Sequence, residues 1–369
     1  MVMATDSLTD YLRLMQANIP IALISEEQWA RILPLGQVLP SAVTTFFGFE
    51  CRLGQPEANA DFLVCADASE AGRRVLAANA YGIDLPEELF DHPVWQCIRE
   101  FSTNWESEIS PLYEKVQNVW LEFDVAEPNA KSIPVPSAFF GPSPLFAAPA
   151  VEENHPHAWV WQQALVLLLG QPVSESLKTN LMRCFEHLPE QAYVFQIGLM
   201  LARQWDGVRL CIRDIAPAAI VPYLSCIGWQ GDGDALQTLL NDLSNRVDRI
   251  DLDIDISDRV LPKIGLECYL RKQPKFEPRW IQFLDFLVLQ GFCLPQKHQA
   301  LLQYPGYLRR RMNPDLWPAN ISKLSGLLGS AYEWVIFKGL HHIKLVYQES
   351  KVKEAKAYLY VSRSLIKGE

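Results

Sequence analysis

The sequence predicts an α+β protein: a closed antiparallel barrel of about ten strands, made from five strand–strand–helix–helix repeats with the helices outside. Strand pairs with alternating apolar and polar residues recur five times, and two amphipathic segments separate each pair from the next. An open sheet of this width would leave two unpaired edges, and closure into a barrel removes them.

The strand pairs are defined by their alternation and by the turn residues between their strands. The fourth pair, RIDLDIDISDRVLPKIGLECYL at 249–270, is the clearest, because Asp251, Asp253 and Asp255 alternate with isoleucine and leucine. Successive side chains of a strand point to opposite faces, so one face of this pair is apolar and the other is acidic. The other four pairs are predicted at 44–67, 118–141, 193–215 with a turn at 205–207, and 341–362.

The helices are predicted from apolar residues spaced three and four apart, in segments bounded by Pro, Gly, Ser or Asp. Residues 1–42 are expected to form a helical N-terminal segment, followed by a single barrel domain at 43–369. The eight helices between strand pairs are predicted at 69–82, 92–105, 157–170, 174–188, 216–229, 234–247, 278–292 and 296–311.

The alternation also predicts which side chains line the barrel. The apolar strand face would pack on the helices and the polar face would line the lumen. Eight strands give a barrel filled by its own side chains, so about ten strands should leave room for a ligand. The predicted lumen residues are Glu50, Arg52, Trp120, Glu122, Asp124, Gln196, Arg209, Arg213, Asp251, Asp253, Glu267, Tyr269, His342, Lys344, Lys356, Tyr358 and Tyr360.

Composition narrows the classes of function. A net charge of −10 gives no general attraction for nucleic acid. The first residues lack the pattern of a signal peptide, and the most apolar segment, 158–170, is too short to span a bilayer. The eight cysteines form no CxxC pair, which favours reduced thiols and a cytoplasmic location. We expect a monomer, and the motifs of common hydrolase and nucleotide-binding folds do not occur.

From about residue 43 to residue 362, the repeat pattern resembles that of the ABBA prenyltransferases, also called PT barrels. The final hairpin, IKLVYQESKVKEAKAYLYVS, is similar to the closing hairpin of cyanobactin-type peptide prenyltransferases, with lysines and tyrosines at alternate positions. The resemblance implies transfer of an isoprenoid group from an allylic diphosphate to an aromatic or peptide side-chain acceptor, in natural product biosynthesis. It also implies a lumen ring of Arg, Lys and Tyr.

The resemblance assigns roles to particular side chains. Arginine and lysine suit diphosphate oxygens, tyrosine and tryptophan faces shield a carbocation, and Glu122 would orient or deprotonate the acceptor. The lumen departs from the family pattern because its acids are at least as numerous as its bases, so Mg²⁺ bridging Asp251 and Asp253 to the phosphates is one way to bind the donor. The diphosphate ligands would be Arg52, Arg213, Lys344 and Lys356, and the shielding residues Trp120, Tyr269, Tyr358 and Tyr360.

Alternative interpretations remain open. The alternating aspartates are also typical of a solvated strand face, and tyrosines favour strands without any further role. The pair His155 and His157 lacks a third metal ligand nearby, His341 and His342 are expected on opposite strand faces, and Arg309–Arg311 is expected at a solvated helix end. A second function also remains: a related barrel that binds or modifies a cationic small molecule or peptide without diphosphate chemistry. The sign of the potential at the lumen centre distinguishes the two.

Overall fold

A computed structural model describes residues 7–80, 85–125, 133–143, 155–203, 205, 207–328 and 332–367. Its strands are β1 Phe46–Arg52, β2 Ala60–Asp67, β3 Val116–Phe123, β4 Ser137–Pro142, β5 Tyr193–Leu199, β6 Val208–Arg213, β7 Arg249–Ile256, β8 Val260–Tyr269, β9 Gly306–Arg309, β10 Tyr332–Gln348 and β11 Lys351–Lys367.

Ten of these strands close into an antiparallel barrel. Strands β1 to β8 pair in chain order, β10 pairs with β8, and β11 pairs with both β10 and β1. The register is continuous around the closure, with Lys344 opposite Lys356 and Lys356 opposite Arg52. The arrangement is the ABBA barrel that the five repeats predict, and this fold prediction is confirmed.

Helices lie between successive hairpins, as the repeat predicts. Several begin with sequence-encoded caps: Ser174 accepts a hydrogen bond from Leu177 N, and Asp232 accepts one from Ala235 N. The helices are α1 Thr9–Gln16, α2 Glu26–Val38, α3 Gly72–Leu76, α4 Pro93–Glu106, α5 Leu112–Lys115, α6 Leu165–Leu169, α7 Glu175–Glu186, α8 Pro217–Cys226, α9 Gly233–Ser244, α10 Arg279–Leu289, α11 Pro295–Gln303 and α12 Ala319–Leu328.

The hydrophobic core lies between the barrel wall and the helices. Outward strand residues such as Leu252, Ile254 and Leu266 are fully buried there, together with large helix side chains such as Trp95 and Trp280. Burial of apolar surface is the dominant favourable term in folding, so this layer holds the helices on the barrel. The opposite strand face is thereby left to the lumen.

The N-terminal helices α1 and α2 pack beside the start of the barrel. Gln28 of α2 donates from its side-chain amide to Ala60 O at 2.7 Å, and Arg363 of β11 donates to the Tyr11 hydroxyl at 2.6 Å. The proposed division into residues 1–42 and a barrel domain at 43–369 stays a prediction. None of the helices in the described ranges is long and apolar enough to cross a membrane.

One predicted helix is wrong at its C-terminal end. The helix expected over 296–311 ends at Gln303, and Gly306–Arg309 forms the extra strand β9, which pairs with β10. The arginine run therefore does not end a helix, since Arg309 lies in a strand and Arg310–Met312 forms a single 3-10 turn. The pairing exists because β10 and β11 continue well beyond the barrel and offer β9 an edge.

The turn expected at 205–207 is preceded by a 3-10 segment, Leu201–Arg203. Asp206, the central residue of that turn, and part of the loop between β3 and β4 lie outside the described residues. The predicted helix 157–170 begins with a π-helical turn, Val160–Ala164, that runs into α6, and it ends at Gly170 in a left-handed conformation with φ of 66°.

Candidate active site in the barrel lumen

The lumen contains two connected groups of side chains, each lining a cavity. The first, here the aromatic cavity, has a volume of about 270 Å³ and is lined by seven Phe, Tyr and Trp side chains: Phe46, Trp120, Phe139, Tyr193, Phe195, Tyr269 and Tyr358. His341 and His342 also line it. The second, here the charged cavity, measures about 130 Å³. Glu122, Arg209 and Lys344 line both cavities and mark their junction.

The charged cavity has equal numbers of acidic and basic side chains among the described residues. Its basic members are Arg203, Arg209, Lys263, Lys344 and Lys356, and its acidic members are Glu50, Glu122, Asp253, Asp255 and Glu354. The expectation that acids in the lumen are at least as numerous as bases therefore holds for this cavity, with no excess of acids.

The fourth hairpin faces the lumen in the predicted register. Glu267 and Tyr269 line the aromatic cavity, Asp253 lines the charged cavity, and Asp251 binds the lumen residue Arg213. Asp251, opposite Glu267 in the β7–β8 ladder, is fully buried. The acidic face of this hairpin is therefore not a solvated strand face, and the alternation correctly located it.

Most cations at the charged cavity are bound to carboxylates. Lys344 forms an ion pair with Asp253, and its Nζ lies 3.9 Å from Glu267 Oε1. Arg209 donates two hydrogen bonds, of 2.7 and 3.1 Å, to the carboxylate of Asp255. Such bidentate pairs are the strong form of the interaction, and they hold the guanidinium in one orientation.

Glu50 is held by two neighbours from β11. Lys356 Nζ lies 2.7 Å from Glu50 Oε1, and the Tyr358 hydroxyl donates to Oε2. Burial alone would raise the pKa of Glu50, but the attraction of Lys356 and the hydrogen bonds outweigh burial and hold that pKa far below its ordinary value. Glu50 is thus a fixed negative charge at neutral pH.

Glu122 is chemically different from Glu50. Its carboxyl group makes no hydrogen bond or ion pair with the described part of the chain, although it lies at the junction of the two cavities. Burial, reinforced by the nearby charge of Glu50, raises its pKa to about 8. An unpaired carboxyl group with a pKa near neutrality and access to a cavity is a typical candidate for acid–base chemistry.

Asp251 and Asp253, the two predicted Mg²⁺ ligands, are engaged by cations. Arg213 Nε lies 3.1 Å and Arg249 Nε 2.8 Å from Asp251 oxygens, while Lys344 holds Asp253. Across the described ranges, no group of three or more His, Cys, Asp or Glu side chains has the arrangement of a metal site. These residues do not fit a bound Mg²⁺, and the requirement for the ion stays a prediction.

Burial and the charge of Glu267 raise the pKa of Asp251 to about 7 and that of Asp253 to about 6. Both carboxylates therefore take up protons over a range in which Glu50 remains ionised. Protonation of either one removes the negative partner of a lumen cation.

The four predicted diphosphate ligands are not gathered in one cavity. Lys344 and Lys356 line the charged cavity, Arg213 lines the aromatic cavity, and Arg52 lines neither. Arg52 instead binds Asp61 at 3.1 Å and Glu354 at 3.6 Å. Since Glu354 also lies 3.7 Å from Lys356, Arg52 is connected to the charged cavity through that shared carboxylate.

The predicted shielding residues lie near the aromatic cavity. Trp120 packs edge-on against Phe46 at 5.6 Å between ring centroids, and Tyr360 stacks on the same Phe46 at 5.7 Å. Tyr358 stacks on His342 at 4.2 Å, and Tyr269 donates a 2.6 Å hydrogen bond to Glu267. Their roles remain predictions, but the structure brings all four rings to one end of the lumen.

The two adjacent histidines contradict the sequence-based expectation. His341 and His342 were expected on opposite faces of the strand, yet both line the aromatic cavity, and their Nδ1 atoms lie 2.7 Å apart. The cause is a β-bulge: Leu340 pairs with Leu359 and His342 with Tyr358, so His341 is an extra residue in β10. A bulge breaks the period of two and redirects a side chain, which the alternation does not reveal.

Sequence reasoning missed several other lumen residues. Phe46 and Phe195 belong to apolar runs in which neither face is marked as polar, so the alternation does not assign them to the lumen. Asp61 lies near the start of β2, where it binds Arg52. Arg203 lies in a 3-10 turn, where it binds Asp124 with contacts of 2.5 and 2.6 Å. The only sequence feature that could have indicated a role for His341 is its position next to His342.

Comparison with solved structures finds proteins of similar chain path. The apo form of the prenyltransferase PriB is 14% identical with a TM-score of 0.49, over 96% of this chain and 94% of that one. AnaPT from Neosartorya fischeri is 12% identical with a TM-score of 0.47, over 99% and 93% of the two chains. No protein-family model and no curated protein matches the sequence. The strand order of the chain itself defines it as an ABBA-type barrel.

Proposed function

We propose that the protein is a prenyltransferase that moves an isoprenoid group from an allylic diphosphate to an aromatic or peptide side-chain acceptor inside the barrel. The observation that supports this most strongly is the junction of an aromatic cavity with a cavity carrying five basic side chains. An allylic diphosphate has the same division, with an apolar chain at one end and a highly charged group at the other.

In this proposal the diphosphate lies in the charged cavity beside Lys344 and Lys356, with Arg209 at the junction. Arg213 would act from the aromatic side, and Arg52 would act indirectly, because it shares Glu354 with Lys356 and competes for that carboxylate. Ammonium and guanidinium groups stabilise the charge that develops on diphosphate as the carbon–oxygen bond breaks. Because these cations carry carboxylate partners, donor binding must replace part of those ion pairs.

The allylic carbon would lie in the aromatic cavity against Tyr269, Tyr358 or Tyr360, with Trp120 opposite. The faces of these rings carry partial negative charge and attract a cation, and the enclosed site excludes the water that would trap it. Phe46 lies between Trp120 and Tyr360 and would extend the same shield.

The acceptor would approach Glu122, which lines both cavities. With a pKa of about 8, Glu122 is mostly protonated at pH 7, where it orients the acceptor as a hydrogen-bond donor. As the pH rises through about 8 it becomes a carboxylate and therefore a base.

The second candidate is a barrel that binds a cationic molecule or peptide. It is favoured by the ion pairs, because the lumen cations already have partners, whereas Glu122 has none among the residues that the structure describes. Against it, protonation of Glu122 at pH 7 leaves five basic and four ionised acidic side chains at the charged cavity. This balance favours an anionic ligand, and we therefore prefer the transferase.

The test is calorimetric titration of the purified protein with dimethylallyl and geranyl thiolodiphosphates, with and without Mg²⁺. Reaction with the true diphosphates follows, with aromatic small molecules and aromatic peptides as acceptors and product mass as the readout. We expect binding of at least one donor and a product heavier by one prenyl group. Binding of a cationic peptide, without binding of any diphosphate, would establish the second candidate instead.

A further inference from the structure

We propose that Glu267, His342 and His341 form a relay that presents an unprotonated Nε2 of His341 to the aromatic cavity, where it takes up the proton of the acceptor. This inference rests on the proposed function and names a second basic group in the site, besides Glu122. It arises from the bulge in β10, which brings two consecutive histidines into the lumen.

The bulge is held by a side chain outside the barrel ladder. Gln273 donates from its amide nitrogen to Leu340 O at 2.9 Å and accepts from Leu340 N at 2.9 Å. The two bonds satisfy the backbone N–H and C=O of Leu340, which strand β8 does not reach, because the β8–β10 ladder begins at Ile343 and Cys268. The redirected orientation of His341 is therefore supported by specific hydrogen bonds and is not a frayed strand end.

The contact between the two rings restricts their tautomers. Two neutral imidazoles whose Nδ1 atoms lie 2.7 Å apart need one proton between them, so one Nδ1 donates and the other accepts. If His341 Nδ1 donates, His342 carries its proton on Nε2 and His341 Nε2 is a free acceptor. If His342 Nδ1 donates, the reverse holds.

Glu267 selects between these arrangements. His342 Nε2 lies 3.6 Å from Glu267 Oε1, within ion-pair range, and makes no hydrogen bond with the described residues. A protonated Nε2 is attracted to that carboxylate, whereas a bare lone pair is repelled by it. Glu267 is itself fixed by the Tyr269 hydroxyl at 2.6 Å. The stable arrangement is the one with Nδ1–H and free Nε2 on His341.

The surroundings keep both rings neutral. His341 is accessible from the cavity, but desolvation within the lumen, followed by the charges of Arg213 and Arg249, lowers its pKa to about 4. Burial, with His341 and Lys344, holds the pKa of His342 well below its ordinary value. Glu50 has the opposite influence on His342 but does not prevail. Among the packed neighbours, Tyr269 and Tyr358 are held protonated because burial raises the pKa of both hydroxyls. A neutral His341 is thus available as a proton acceptor at pH 7.

The step balances without a further reactant. The carbon–oxygen bond of the donor breaks and its electron pair leaves with the diphosphate. An electron pair of the acceptor forms the new bond to the allylic carbon, and the hydrogen on the reacting acceptor atom passes as a proton to His341 Nε2. The resulting imidazolium still donates from Nδ1 to His342, whose Nε2–H remains directed at Glu267.

The tautomers are tested without any substrate. Long-range ¹⁵N–¹H correlation spectra of protein labelled at histidine, assigned with His341→Gln and His342→Gln, report which nitrogen of each ring carries the proton. We expect protonated Nδ1 on His341 and protonated Nε2 on His342. Protonated Nε2 on His341 would overturn the relay, whatever reaction the protein catalyses. In Glu267→Gln, whose amide can donate to His342, the preference for a protonated Nε2 on His342 should weaken.

The role of His341 as proton acceptor is tested by measuring the turnover of the variant His341→Gln. We expect kcat for acceptor prenylation to fall about 10²-fold, a much larger effect than any change in thiolodiphosphate affinity. The matched control is His187→Gln, because His187 is an exposed histidine at the end of α7. Undiminished acceptor turnover in His341→Gln would reject the role. Absence of all donor binding in the wild-type protein would instead reject the proposed function.

Discussion

The aromatic and charged cavities lie in one lumen and are lined by many of the same strands, yet they differ in chemistry. Along β11, side chains facing the lumen change from Tyr360 and Tyr358 to Lys356 and Glu354 in steps of two residues. Along β3, Trp120 is followed two residues later by Glu122. The division therefore arises from the position of each residue along its strand, and the closed register aligns equivalent positions around the barrel.

The two cavities accommodate buried ionisable groups in different ways. In the charged cavity, cations and carboxylates neutralise each other, so the cost of burying ions is offset by close pairs. At the aromatic end, His341 and His342 are kept neutral instead, because burial and neighbouring cations disfavour their charged forms. Glu122, at the junction, differs from both groups, because it forms no ion pair with the described residues and its pKa of about 8 lies close to neutrality.

The largest effect is expected at Lys344, which joins the two cavities. Lys344→Ala removes charge stabilisation of the leaving diphosphate, and turnover should fall about a hundredfold or more in single-turnover assays. The change also leaves Asp253 without its partner. The double variant Lys344→Ala with Asp253→Asn is therefore the control, and it should recover thermal stability but not activity. Recovery of activity as well would show that Lys344 serves only the fold.

Glu122→Gln tests whether the junction carboxyl is protonated. Its pKa is raised from 4.5 to about 8, so its favourable contribution to stability is complete below pH 4.5 and is lost as the pH rises to about 8. The glutamine variant lacks this loss, so its free energy of unfolding should gain about 3–4 kcal/mol on that of the wild type between pH 5 and pH 8. The measurement is chemical denaturation at pH 5 and pH 8. An equal difference at both pH values would contradict the raised pKa.

Donor affinity should depend on the paired aspartates. As the pH falls from 8 to 6, Asp251 and then Asp253 begin to take up protons, which releases Arg213 and Lys344 for the diphosphate. Thiolodiphosphate affinity should rise about tenfold, the equivalent of one pKa unit. In Asp253→Asn the affinity should already be high at pH 8 and vary less with pH. Affinity that increases with pH would contradict this exchange of partners.

The smallest effect is expected at the outer edge of the charged cavity. Arg203 binds Asp124, but the side chain of Arg203 is 47% exposed and that of Asp124 29%. Solvent screens such pairs, so Arg203→Ala should cost less than about 1 kcal/mol in stability and change turnover less than about fivefold. Denaturation and steady-state assays measure this. A loss as large as that of Lys344→Ala would place the diphosphate at this edge, away from the junction.

The five repeats, and with them the barrel, can be predicted from local sequence patterns. Side-chain alternation is a local property of extended backbone, so it correctly assigns Asp251, Asp253, Glu267 and Tyr269 to the lumen face. Helix periodicity similarly located most of the helices, because it depends only on residues three and four positions apart.

Other features of the site depend on partners that are distant in the chain and meet only in the folded protein. The pairing of Lys344 with Asp253 and of Lys356 with Glu50 joins residues 91 and 306 positions apart. These partners, together with burial, set the pKa values that the sequence leaves undetermined. The bulge that turns His341 inward depends on Gln273, and the strand β9 forms only because β10 extends past the barrel. Such features follow from closure of the barrel, since only closure decides which strand positions face one another.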